Sequence, residues 1–393
     1  MDRPDLTVIP PQTPWLTDPT VQSVCQAIRA EGAEIYFVGG CVRDALLDLH
    51  GSDVDMATNA PPDEVTRLAK ANGLKVVPTG IDHGTVTVVS EGTGFEITTF
   101  RRDVETDGRR AVVAFSDDIL EDASRRDFTL NALYATPEGE VVDPLGQGIE
   151  DCLARRIRFI ENADARIKED YLRALRFFRF HAWYADPSKG FDADALDAIA
   201  RNTAGLETLS AERLGAEMRR LLAAPDPAPA VAAMQQAGAL PRVLPGSDIT
   251  FLGPVIHLEA ALSLTPNWRY RLAALGGQDV SDRLRLSGKD TKVLDALRDE
   301  IGNATPMLEI GYRQGTEIAF GVLILRAAMA NQMLEPAALD PLRSASQAQF
   351  PVRAKDLMPA FKGKALGTRL ALLERRWVAS DFRLTREELM TLK

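Results

Sequence analysis

The chain has 393 residues, 45% of them hydrophobic, which is enough for two or three domains with real cores. No run approaches the roughly 18 apolar residues needed to span a bilayer, which argues against a membrane partner. A net charge of −10 argues against a general binder of polyanions, although residues 101–110 hold four arginines and 155–179 are arginine-rich. The opening MDRPDLTVIPPQTPW lacks the charged start and long apolar stretch of a secretory leader. Cys25, Cys41 and Cys152 have no metal-ligand spacing and read as reduced thiols. A cytoplasmic location is expected.

The elements follow in chain order. Apolar spacing predicts a helix over 21–31, then a strand over 34–38 that ends at Gly39-Gly40. A short helix over 42–49 and a strand over 53–57 come next. "NAPPDEVTRLAKANG" (59–73) has prolines and acids at its start and a basic residue and glycine at its end, the form of a helix. Strands are expected over 75–77, 85–89 and 95–100, and "RRDVETDGRRA" (101–111) reads as a mobile loop. Residues 131–136 and 140–142 flank the turn signal "PEG" and predict a hairpin. After about Gly146 helical periodicity takes over, with breaks near 185–190, 223–229, 240–248 and 354–367. The expected architecture is an α/β first third and an all-α remainder, with boundaries at 1–145, 146–225 and 226–393.

One juxtaposition stands out. Alternation along a strand places Asp53 and Asp55 on one face. Paired carboxylates repel when ionised, and a divalent cation relieves that repulsion; oxygen-only ligands favour Mg²⁺. Glu96, on the strand "FEITTF", supplies a third carboxylate if strand order brings it near. A solvated Asp-x-Asp in a loop is the plainer alternative. Gly39 and Gly40 let backbone N–H groups approach a phosphate at a helix start, and Arg43 lies in the first turn. A magnesium site beside a triphosphate cradle implies phosphoryl or nucleotidyl transfer by metal-assisted in-line displacement.

"GGCVRDALL" followed by "SDVDMAT" resembles the signature of the class II tRNA CCA-adding enzymes and bacterial poly(A) polymerases. "RRDFTLNALY" (125–134), "EDYLRALRFFRF" (169–180) and "ERLGAE" (212–217) resemble further motifs of that family, in family order. The resemblance covers about the first 220 residues. It implies a polymerase-β-like nucleotidyltransferase head with a mixed sheet, followed by helical neck, body and tail. It also implies template-independent addition of CCA to the 3′ end of tRNA from CTP and ATP by a two-metal mechanism.

The matched residues have physical readings of their own. On a continuous helix, Asp170 and Arg173 lie three residues apart and so near one another. An acceptor beside donors suits the amino group and ring nitrogen of cytosine and adenine and repels the carbonyl of uracil and guanine, each pairing being worth ~1–3 kcal/mol. In the resembling family these positions form the amino-acid template; the alternative is an ordinary intrahelical ion pair. Asp127 can accept from a ribose hydroxyl or cap a helix. Arg126 suits phosphate or ribose, Asn131 the sugar or its loop, and Arg176 the triphosphate. Glu212 and Arg213 read as ties between helices that hold the selecting helix in place.

"PTGIDHGTVTVV" (78–89) resembles the CCA-adding branch, and the more basic stretch usual in poly(A) polymerases is missing. None of His50, His83, His181 and His257 makes the His-Asp pair of the phosphohydrolase domain that some CCA-adding enzymes carry. Poly(A) synthesis, an RNA-binding protein without catalysis, and transfer to a small molecule are the competing readings.

Overall fold

The computed structural model describes residues 8–49, 51, 53–80, 84–107 and 110–392. The chain divides into two compact units, Met1–Glu217 with Pro229–Val243, and Met218–Ala228 with Leu244–Lys393. The first begins with α1 (Pro14–Thr17), α2 (Pro19–Arg29), β1 (Ile35–Val38) and α3 (Gly40–Leu46). There follow β2 (Met56–Thr58), α4 (Pro62–Ala71), β3 (Lys75–Gly80), β4 (Thr85–Ser90) and β5 (Thr93–Thr99). A separate hairpin of β6 (Arg101–Asp107) and β7 (Arg110–Phe115) precedes α5 (Ile119–Ser124), β8 (Tyr134–Ala135) and β9 (Val141–Val142).

The sheet has seven strands in the order β3-β4-β5-β2-β1-β8-β9. It is mixed, because β2 and β5 run parallel while every other neighbouring pair is antiparallel. The alternation in β4 buries Val86, Val88 and Ser90 on one face. Helix α2, capped by Asp18, buries Val21, Val24, Cys25, Ala27 and Ile28. Helix α4 starts with Pro62 and two acids and buries Val65, Leu68 and Ala69.

From α6 (Gly148–Leu153) onward the described chain is helical. Helices α7 (Ala163–Glu169), α8 (Leu172–Tyr184) and α9 (Ala193–Asn202) lead to α10 (Ala211–Leu222), α11 (Ala228–Gln236) and α12 (Ala239–Val243). Phe128, Phe159, Phe177 and Phe180 form an aromatic cluster, with successive ring centroids 4.9–6.4 Å apart, that anchors α8 to the loop after α5. The second unit holds α13 (Leu252–Ala261), α14 (Trp268–Leu275), α15 (Val280–Arg283), α16 (Gly288–Gly302), α17 (Met307–Met329), α18 (Asp340–Gln347), α19 (Gly363–Ala379) and α20 (Arg386–Thr391). Among the described residues no helix is long and apolar enough to cross a membrane.

Several sequence-based expectations change in detail. The strand expected over 53–57 begins only at Met56, because Met56, Ala57 and Thr58 are buried on both faces and the exposed aspartates cannot continue that pattern. Asn131 ends a short 3₁₀ turn (Thr129–Asn131) rather than starting a strand. Of the loop expected over 101–111, residues 101–107 and 110–111 belong to the β6–β7 hairpin, paired from Arg101↔Phe115 to Asp107↔Arg110, while 108 and 109 lie outside the described residues. The β-branched residues Val104, Thr106, Val112 and Val113 outweigh the charge there. Within the break expected over 240–248, residues up to Val243 are helical.

Candidate active site

A cleft of about 600 Å³ in the first unit is lined by backbone and side chains from β1, α3, β2, β4, β5, α8 and α10 and the loops around α5. It gathers Gly39, Gly40, Arg43, Asp55, Glu96, Arg126, Asp127, Asn131, Asp170, Arg173 and Arg176. These were the sequence candidates, spread over 138 positions; Asp53 alone among them does not line it.

The acidic corner follows from sheet register. β2 pairs with β5 in the register Met56↔Ile97, so Asp55 stands beside Glu96. The N–H of Val38 donates to the Asp55 carbonyl at 3.0 Å and ties the aspartate to the end of β1. Asp55 keeps an edge open to solvent, yet the cleft wall around it partly desolvates the carboxylate, and that desolvation, then the charges of Glu96 and Asp53, raise its pKa above the ordinary value. Like charges crowded around one carboxylate form a donor set of oxygens that suits a hard divalent cation. Among the described residues no three acidic, histidine or cysteine side chains form a ready-made cage.

Gly39 bridges β1 and α3 with φ 71° and ψ −116°, a conformation for glycine. Its N–H donates to the Leu133 carbonyl at 3.0 Å. A Cβ there would lie 3.5 Å from Nη1 of Arg126, so that guanidinium sits against the turn. Arg126 is held by Asp122 at 3.0 Å and by the Tyr134 hydroxyl at 3.2 Å.

Asp127 is buried and nearly saturated. One oxygen accepts from the Phe128 N–H at 2.9 Å and from Asn131 Nδ2 at 3.2 Å; the other accepts from Arg176 Nε at 2.6 Å. Burial works against its charge, yet Arg176 and Asn131 outweigh burial and hold its pKa below the usual range. A carboxylate offers about four acceptor positions, so one remains. Arg43, 4% exposed, is committed as well: it donates to Asn131 Oδ1 at 2.6 Å, Asp44 at 2.8 Å and the Tyr184 hydroxyl at 2.9 Å. Its guanidinium is therefore not a loose clamp waiting for phosphate.

Asp170 and Arg173 share the cleft but not a helical turn. Asp170 is extended (φ −153°, ψ 105°) between α7 and α8 and caps α8 by accepting from the Leu172 N–H at 3.1 Å. Its partner is Arg213 of α10, at 2.6 Å. Arg173 instead donates to Glu169 at 2.5 Å and to the carbonyls of Arg166 and Arg125 at 3.2 and 2.8 Å. The expected i,i+3 helical juxtaposition is replaced by two side chains fixed separately from opposite sides. The cap explains the break: an aspartate accepting from the N–H two residues on competes with a continued helix.

Cleft residues that sequence reasoning passed over include Arg101, Arg125 and Phe180, and it gave Arg213 only a structural role. Arg125 sits inside the "RRDFTLN" motif and Arg213 inside "ERLGAE", so the motifs held the signal. Phe180 is the last residue of "EDYLRALRFFRF", four positions after Arg176, so that motif held its signal too. Of "PTGIDHGTVTVV", residues 81–83 lie outside the described residues.

Comparisons with known proteins agree with this geometry. Residues 35–158 match the family "Poly A polymerase head domain", and 191–249 match "Probable RNA and SrmB- binding site of polymerase A". The chain is 31% identical to the mitochondrial CCA tRNA nucleotidyltransferase 1 of Danio rerio, over 91% of this chain and 86% of that one. It is 35% identical to the CCA-adding enzyme of Geobacillus thermodenitrificans, over 80% and 78% respectively. The structure resembles the Bacillus stearothermophilus CCA-adding enzyme in complex with CTP, with a TM-score of 0.73 at 29% identity, covering 95% of this chain and 97% of that one.

Proposed function

This chain belongs to the family of class II CCA-adding tRNA nucleotidyltransferases, and from that premise we propose how it builds a 3′-terminal CCA on tRNA from CTP and ATP. The observation that carries the reading is one cleft holding both an acidic corner, Asp55 with Glu96, and a separate polar pair, Asp170 with Arg173. The first suits transfer of a nucleotidyl group; the second suits choosing which nucleotide.

The turn at Gly39 and Gly40 brings backbone close to the triphosphate, and Arg126 beside it balances phosphate charge. Asp53 and Asp55 would hold magnesium, which when bound would supply charge neutralisation for a two-metal, in-line nucleotidyl transfer. Glu96 completes the acidic face beside Asp55. Asp127 offers its remaining acceptor position to a ribose hydroxyl, and Asn131 and Arg176 hold it in orientation. Asp170 and Arg173 read the edge shared by cytosine and adenine. The division into head (1–145), neck (146–225) and body with tail (226–393) assigns tRNA binding to the last segment.

The test offers tRNA ending at the discriminator base with each nucleoside triphosphate singly and then together. Two C residues from CTP, and one A only after them, are expected. Long A tracts from ATP without prior C addition would move the assignment to poly(A) synthesis. RNA binding without any addition would leave a fold that has lost its chemistry.

A further inference from the structure

The last turn of α8, past residue 180, lies outside the family-like motifs, yet Tyr184 there closes a ring of side chains beside the cleft. Arg176, Phe180 and Tyr184 are spaced by four residues and so share one face of α8. Arg43 reaches that face from α3. Its guanidinium lies 3.8 Å from the Tyr184 ring centroid and 5.3 Å from that of Phe180, and its Nη2 donates to the Tyr184 hydroxyl at 2.9 Å. Through Nη1 it holds Asn131 Oδ1 at 2.6 Å, which fixes the amide so that Nδ2 faces Asp127 at 3.2 Å. Asp127 returns to α8 through Arg176 Nε at 2.6 Å, and Arg176 packs on the other side of the network, 5.2 Å from the Phe180 centroid. The circuit is closed: Tyr184, Arg43, Asn131, Asp127, Arg176 and back along one helix face.

We propose that Tyr184 is a positioning residue for sugar selection, acting through Arg43 and Asn131 to aim the one unused acceptor of Asp127 at the ribose of the incoming nucleotide. The inference rests on the proposed function, which gives Asp127 that hydroxyl. The physical reason is the amide of Asn131. An amide can turn over at little cost unless both its ends are specified, and here Arg43 specifies the oxygen end. Without that donor the amide can rotate, and Asp127 then swings toward Arg176, its strongest partner. Tyr184 in turn holds Arg43 twice, by ring face and by hydroxyl, so the two contributions separate by substitution.

The experiment measures binding of CTP and dCTP to the full-length chain by titration calorimetry, with tRNA affinity and thermal unfolding as companions. Tyr184→Phe keeps the ring but removes the hydroxyl acceptor, and it is expected to lower the CTP-over-dCTP preference about threefold to tenfold. Tyr184→Ala removes both and lowers it further; tRNA affinity stays the same in each. A purely structural tyrosine would weaken both nucleotides alike and leave their ratio untouched. If the wild-type chain discriminates and both variants retain its full ratio, the ring has no role in selection and the inference fails. If the wild-type chain binds neither nucleotide, it is the proposed function that fails. Should Tyr184→Ala not fold, Arg43→Lys combined with Tyr184→Phe decides the matter. The double variant should lose little more discrimination than the worse single one, and additive losses overturn the ring.

Discussion

Asp122 was invisible as a functional residue in the sequence, yet the structure makes it the hub behind the arginines of the cleft. It lies on α5 at 1% exposure. One oxygen accepts from Arg125 Nε at 2.9 Å and the other from the Tyr134 hydroxyl at 2.7 Å and Arg126 Nη2 at 3.0 Å. Asp122→Asn keeps the shape but removes the charge and turns one edge into a donor that faces donors. Removing one charge of a buried pair costs about 3–5 kcal/mol. The two arginine side chains retain 17% and 22% exposure, so they recover some hydration and the cost falls near the lower end, about 3 kcal/mol. At about 2–4 °C per kcal/mol for a unit of about 150–250 residues, the melting temperature should drop by about 6–12 °C. Calorimetry at neutral pH reads this directly. Burial by itself would raise the Asp122 pKa, but Arg126, Arg125 and Tyr134 outweigh it and hold the carboxyl well below the usual range. Its stabilisation is thus complete above the unfolded value, about 3.9, and is lost as pH falls toward the folded one. The gap between wild type and variant should stay level from about pH 8 to about pH 5 and narrow below about pH 4. A drop under about 2 °C at neutral pH, or a gap that widens in acid, refutes the reasoning.

Asp55→Ala should reduce nucleotide addition by about two orders of magnitude or more and leave tRNA affinity, measured by filter binding, unchanged; normal turnover would remove the metal assignment. Asp170→Ala should raise incorporation of U and G relative to C and A by about tenfold, since one base-edge pairing is worth ~1–3 kcal/mol; gel assays with single nucleotides read the ratio. Gly205→Ala places a Cβ 2.1 Å from ring atoms of Tyr171, the residue next to Asp170, so the ring must shift. Steady-state kinetics should show raised KM values for CTP and ATP, and unchanged values would mean that Tyr171 moves without disturbing its neighbour.

The division into an α/β head and a helical remainder was legible because alternation and helical spacing report burial directly. The motifs also located the cleft: residues from 39 to 176 converge there. What the sequence hid was partnership. "EDYLR" has unbroken helical character, and only the extended backbone of Asp170 reveals that a cap interrupts it. Glu96 could be placed beside Asp55 only once the parallel pairing of β2 and β5 was known, a link across 41 residues with a crossover between them. Arg43 reads as a first-turn phosphate ligand on α3, and nothing nearby in sequence announces Tyr184, 141 residues away, as its acceptor. In the hairpin of β6 and β7, charge and glycine content pointed to a loop while β-branched residues pointed to strands, and pairing decided for strands.

On the proposed reading, the separate fixing of Asp170 and Arg173 bears on how side chains can replace a template strand. A reader of bases discriminates only if its groups do not rearrange to satisfy the wrong base. Arg173 meets that condition: both hydrogens of Nη1 and one of Nη2 are held by Glu169 and two carbonyls, which leaves Nε and one Nη2 hydrogen among its five donors. One of those carbonyls belongs to Arg125, two residues before Asp127, so the base-reading arginine and the sugar-reading carboxylate are registered on one stretch of backbone. Asp170 differs. Its pairing with Arg213 is partly exposed, 37% and 29% for the two side chains, and such pairs are worth only ~0–1 kcal/mol. An amino group of cytosine or adenine can therefore displace or share that contact cheaply, whereas the carbonyl of uracil or guanine would set two acceptors against each other and leave Arg213 in place. The rigid member supplies geometry and the exchangeable member supplies the test of the base. A tight Asp170–Arg173 ion pair on a single helical turn would have had to break before either group could read anything.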